Sequence, residues 1–156
     1  VPVPTYRDSP STPAADLSGV NLDGRPVRVP VLGTGRWTIV LFLSTGCHGC
    51  LQVWDGLADP AVWGLAGDEL VVAVTRGPDH EDVEVLRNLA PSGVPVVMSD
   101  SAWGAYRVQG PPFFALIDGR SGTGRLDGDQ VRVAAEGVVW GVSQIVDDIR
   151  RTRDRA

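Results

Sequence analysis

Thiols two residues apart can exchange disulfides, supply half of a metal site, or close a small structural loop. The only cysteines of this 156-residue chain, Cys47 and Cys50, have that spacing in LFLSTGCHGC, with His48 and Gly49 between them and Gly46 in front. A staple enclosing so short a loop removes little entropy from the unfolded chain, so stability alone is a poor reason for the pair. A closed zinc site wants four ligands, and His48 and His80 are the only histidines. His48 also lies between the two thiols, where one ion could hardly engage all three, so no metal is expected. Redox exchange is the remaining chemistry.

That chemistry needs elements that aim the sulfurs. WTIVLFLS, residues 37–44, is β-branched and aromatic without alternation, the pattern of a strand buried on both faces. Leu51, Trp54, Leu57 and Ala58 follow at helical spacing, which predicts a helix over 48–58. Cys47 then sits where the strand ends and the helix begins, facing free backbone N–H groups and the positive end of the helix dipole. In such places a thiol pKa falls from about 8.5 to roughly 3.5–7.5. Cys47 becomes the candidate nucleophile, and Cys50, one turn on and more buried, the candidate resolving thiol.

The rest of the chain supplies a sheet and its cover. The Pro-rich segment 1–16, VPVPTYRDSPSTPAAD, reads as an extended tether, with the domain running over 17–156. Asp23-Gly24 predicts a β-hairpin over 18–29. LVVAVT at 70–75, VPVVM at 94–98 and FFALID at 113–118 predict further strands, and a partner strand is expected at 130–135. Helices are expected after an Asp79 cap, after a Ser101 cap with Trp103 and Tyr106, briefly from Asp59-Pro60, and over 141–153. Strands alternating with helices mean an α/β sheet.

Composition excludes several function classes. A net charge of −5 argues against nucleic acid or an anionic membrane as partner. All 14 basic residues are arginines, which carries no mechanism. The start at Val1 rather than Met fits removal of a targeting segment or a boundary placed there, and either fits a secreted or membrane-tethered parent. The turn-rich stretch 118–129 lacks the ligand order of a calcium loop and reads as a hairpin connection. RRTRDRA reads as a solvated helix end, and Trp54 as core.

The strand-CxxC-helix of LFLSTGCHGC together with VQGPPFFALID at 108–118 resembles the thioredoxin-like superfamily, and the N-terminal hairpin and YRVQGPPFFALID are closer to its TlpA/ResA/MauD-like extracytoplasmic redoxins. The resemblance implies a three-layer sandwich, a central mixed β-sheet flanked by helices with an N-terminal β-hairpin. It implies a thiol-disulfide oxidoreductase without cofactor, monomeric, exchanging with a cysteine pair of a protein substrate and with an upstream redox partner, most simply as a reductase of the cell envelope. Cys47 takes the nucleophile's place, Cys50 the resolving thiol's, and Pro112 that of a cis-proline leaving the strand edge open to a substrate segment.

The chain departs from the family in ways that bear on chemistry. Gly46 stands where an aromatic residue is usual, so Gly46, Pro111 and Pro112 form the expected substrate-binding rim. Pro111 lacks an N–H and removes one backbone bond to a substrate. Leu41 replaces the buried acid that helps deprotonate the resolving thiol. His48 and Gly49 are the candidate redox-tuning residues: a protonated His48 would stabilise the Cys47 thiolate, whereas a solvent-facing one would do nothing. Two other readings stay open, a thiol peroxidase, because Ser44 precedes Cys47 by three residues, and a non-catalytic thioredoxin-fold binding module. The peroxiredoxin motif also wants a proline where Val40 stands.

Overall fold

The computed structural model describes residues 7–8, 12–58, 69–121, 131–139 and 142–155. In chain order its elements are β1 (Arg7–Asp8), β2 (Leu17–Val20), β3 (Pro26–Val29), β4 (Trp37–Phe42), α1 (His48–Leu57), β5 (Leu70–Thr75), α2 (Val83–Leu89), β6 (Val96–Met98), α3 (Asp100–Ala105), β7 (Phe113–Asp118), β8 (Ala135–Val138) and α4 (Val142–Arg155). The described strands form one eight-stranded sheet in the order β1-β8-β7-β4-β5-β6-β2-β3. β4, β5 and β6 run parallel, and β7, β8 and the β2–β3 hairpin pair antiparallel around them.

The unalternating run in β4 is explained by cover on both sides, since all six of its residues are buried. Trp37, Ile39 and Leu41 pack with Val53, Trp54 and Leu57 of α1, Leu86 of α2, and Ile145 and Ile149 of α4. Val40 and Phe42 point the other way, into a core with Val72, Val74, Trp103 and Tyr106 beside α3. These helix, sheet and helix layers are the expected sandwich. Trp54 lies in the core as read, while Trp63 and Trp140 lie outside the described residues.

The hairpin turn is held mainly by Asn21, whose Oδ1 accepts from the N–H groups of Asp23 at 2.9 Å and Arg25 at 3.0 Å, with Gly24 at φ +79°. Gly19 lets the hairpin dock on β6. A β-carbon there would stand 2.8 Å from Ser99 Cβ and against the Met98 carbonyl.

Several boundaries differ from expectation, each for a local reason. Asp82, not Asp79, caps α2, its carboxylate accepting from Glu84 N and Val85 N; residues 77–81 are spent on a turn closed by His80 N donating to Gly77 O. Ser99, not Ser101, caps α3 through Ala102 N at 3.1 Å, and Ser101 bonds the capping hydroxyl instead. The partner strand of β7 is Ala135–Val138 rather than 130–135, because residues 131–133 pair with the leader: Ala14 N donates to Val131 O and Val133 N to Thr12 O. The expected tether is therefore partly sheet, since Arg7–Asp8 joins β8 and Thr12 and Ala14 are buried. β4 ends at Phe42, two residues early. The short helix expected from Asp59-Pro60 and most of the 118–129 connection lie outside the described residues.

Candidate active site

Parallel strands β4, β5 and β6 all finish at one edge of the sheet, the place where open α/β sheets collect ligands. β7 starts at that same edge. Its Phe113 pairs with Phe42, which puts Pro112 beside the residues that follow β4.

Cys47 is the N-cap of α1, with extended backbone at φ −111° and ψ 118°. Its sulfur accepts from Cys50 N at 3.2 Å, an N–H of the first helical turn that the Cys47 carbonyl shares at 3.2 Å. Cys47 is joined to Cys50 as a disulfide, with Cα atoms 5.2 Å apart. Their surroundings differ. Cys47 is partly buried, whereas Cys50 is fully buried in the core that includes Leu41, Leu43, Val53 and Trp54. An outer sulfur open to a partner and an inner one shielded from it is the asymmetry a two-step exchange requires.

The Pro111–Pro112 peptide bond is cis. A β-carbon at Gly49 would stand 3.4 Å from both Cδ and Cγ of Pro112, so the proline ring lies over the first turn of α1. Pro112 is buried and Pro111 partly so, and the Pro112 carbonyl accepts from Val139 N at 2.9 Å. His48 and Gly49 are exposed. Gly46 is exposed too, and space for a β-carbon there is open. Leu41 is wholly buried in the same apolar cluster as Cys50.

One residue at this edge escaped the sequence reading. Glu81 Oε1 accepts from Ser44 Oγ at 3.1 Å, Thr45 N at 3.1 Å and Thr45 Oγ1 at 2.9 Å, and Oε2 accepts from Arg76 N at 3.2 Å. Ser44 Oγ in turn accepts from Gly46 N at 3.3 Å. The hydroxyl that suggested a peroxidase motif is thus directed at Glu81. No local pattern announces this contact, because Glu81 and its partners in the Cys47 loop are 36 and 37 residues apart.

Behind the site, Arg76 stacks over Trp103 at 4.4 Å, and His80 lies 3.9 Å from Asp100, whose carboxylate accepts from Gly77 N. Among the described residues, no group of three or more His, Cys, Asp or Glu side chains is arranged to hold a metal ion. No described helix is long and apolar enough to cross a membrane.

No family model and no curated protein matches this chain. Solved structures do. A DsbF homologue from Corynebacterium diphtheriae superposes with a TM-score of 0.67 at 14 % identity, covering 98 % of this chain and 94 % of that one. A secreted Mycobacterium tuberculosis disulfide oxidoreductase homologous to Escherichia coli DsbE gives 0.63 at 13 % identity, over 86 % and 95 % of the two chains. The pneumococcal exposed lipoprotein thioredoxin Etrx1 of Streptococcus pneumoniae gives 0.60 at 20 % identity, over 88 % and 99 %. Sheet order, helix layers and these superpositions agree, and the chain has the thioredoxin-like fold.

Proposed function

We propose that this protein is a thiol-disulfide oxidoreductase that exchanges electrons with a cysteine pair of a protein partner, as a reductase in the cell envelope. The observation that carries the reading is the placement of the two sulfurs: Cys47 at the open N-cap of α1, Cys50 behind it in the core, and cis Pro112 against the same turn.

In the reducing direction the Cys47 thiolate attacks one sulfur of the partner's disulfide. A Cys47–partner S–S bond forms, the partner's own S–S bond breaks, and its second sulfur leaves as thiolate to take a proton from solvent. Cys50 gives up its proton and attacks Cys47 Sγ, which releases the partner's remaining thiolate. Two electrons pass to the partner and the Cys47–Cys50 disulfide remains. An upstream dithiol returns the pair to its reduced form.

Gly46, Pro111 and Pro112 form the rim met by the substrate segment, and the open space at Gly46 admits a bulky side chain of the partner. His48 is exposed at the first residue of α1, which favours the solvent-facing reading over a role in setting the potential. With Leu41 in the acid's place, the proton of Cys50 leaves to water or to the departing substrate thiolate. Envelope location draws on the company the fold keeps, which includes an exposed lipoprotein and a secreted oxidoreductase.

Dithiothreitol-driven reduction of insulin tests the reading. Wild type should accelerate precipitation of the insulin B chain and Cys47→Ser should not; equal rates for the two would remove it. Peroxide consumption surviving in Cys50→Ser would favour a peroxidase instead.

A further inference from the structure

The segment between β4 and the α1 cap, residues 43–46, must present Cys47 in one place, yet its exposed end offers little packing, with nothing within 4 Å of a β-carbon at Gly46. What fixes it is Glu81. One carboxylate oxygen collects three donors from Ser44 and Thr45 and the other takes Arg76 N, so the loop carrying the nucleophile is tied to the loop after β5. Every one of these partners donates, and an ionised carboxylate is the side chain that only accepts. We propose that Glu81 is a positioning residue for Cys47, holding the Ser44–Thr45–Gly46 turn so that the sulfur stays over Cys50 N in the reduced enzyme.

This rests on the oxidoreductase reading, and it goes further by giving the exchange a residue outside the CxxC turn and the cis-proline loop. Glu81 bonds Ser44, Thr45 and Arg76 rather than either sulfur, so it acts through the turn. Two competing roles make opposite or empty forecasts. If Glu81 acted only as a negative charge near the thiolate, removing that charge would stabilise the thiolate. If it only tied two loops together for stability, the melting temperature would move and the chemistry of Cys47 would not.

The test compares Glu81→Ala, Glu81→Gln and Thr45→Val with wild type. Two readouts are used: the pH dependence of Cys47 alkylation by iodoacetamide in the reduced protein, followed by mass, and the equilibrium constant with glutathione. Glu81→Ala should raise the apparent pKa of Cys47 by about one unit, a tenfold fall in thiolate at pH values below it. The pair should become more reducing by about tenfold in the equilibrium constant, or about 30 mV. Glu81→Gln keeps an acceptor for Ser44 and Thr45 but turns an amide N–H toward Arg76 N, so its shift should have the same sign and be smaller. Thr45→Val removes one hydroxyl donor and should follow Glu81→Gln. A lower pKa in both Glu81 variants, or unchanged alkylation and equilibrium in all three, overturns the proposal. Neither readout needs a protein substrate, so failure of the oxidoreductase reading would show separately, as wild type inert toward insulin.

Discussion

Gly49 and Pro112 meet across the site: a β-carbon on the glycine would stand 3.4 Å from Cδ and Cγ of the proline ring. The first turn of α1 lies against the loop before β7 at this point. Gly49→Ala should fold and gain about 0.5 kcal/mol from helix propensity. Gly49→Ile should push the ring away and slow reduction of insulin about tenfold, since displacing a positioned group by about 1 Å has effects of that order or larger. Reduction of a small disulfide such as oxidised glutathione should slow less. Paired insulin and glutathione assays read the difference.

Leu41 stands where the fold's relatives in the resemblance keep an acid. Fully buried beside Cys50's apolar neighbours, it offers no partner for a charge. Leu41→Asp should cost about 4 kcal/mol at neutral pH, from lost packing and an unpaired buried carboxyl. Burial would raise the new carboxyl's pKa, so the penalty should shrink as pH falls toward the range where the carboxyl is neutral in both folded and unfolded states. Urea unfolding at acidic and neutral pH gives both numbers.

Tyr106 supplies a pH dependence at the alkaline end. Burial, opposed by its bond to the Ala15 carbonyl and helped by the Asp16 charge, pushes its phenol from 10.0 up to about 12. Its oxygen also accepts from Ala15 N at 3.0 Å, pinning the leader to the sheet's second core. The folded state holds this proton more tightly than the unfolded state, so the contribution is intact below pH 10 and is lost as pH rises toward about 12. Of the two tyrosines, one should therefore ionise only near the upper limit in an absorbance titration of the folded protein. Tyr106→Phe should abolish that late step and cost about 1 kcal/mol, and a late step that persists would contradict the assignment.

Much of this architecture is legible in short windows, because the signals are local. WTIVLF and LVVAVT carry no polar face, and β4 and β5 have none to give to water. LFLSTGCHGC shows both the strand and the helix that meet at Cys47. What misled was competition between equivalent local signals: Asp79 and Asp82 can each cap a helix, as can Ser99 and Ser101, and tertiary contacts chose the second aspartate and the first serine. The 77–81 turn occupies the residues before Asp82 and brings Glu81 to the Cys47 loop. The leader is a similar case, since prolines at a sheet edge and prolines in a tether read alike and the pairing with Val131 and Val133 is non-local. Glu81 itself has no signature, because three of its four donors come from the Cys47 loop, 36 and 37 residues away.

The central claim, that Cys47 attacks and Cys50 resolves, is tested most directly by mass spectrometry of mixed disulfides. Reduced Cys50→Ser and Cys47→Ser proteins are each mixed with a disulfide-bearing peptide, and the adducts are mapped by proteolysis. A stable adduct on Cys47 in Cys50→Ser, with little or none on the buried Cys50 in Cys47→Ser, is the expected result. Comparable trapping at Cys50, or no adduct in either variant, would contradict the account.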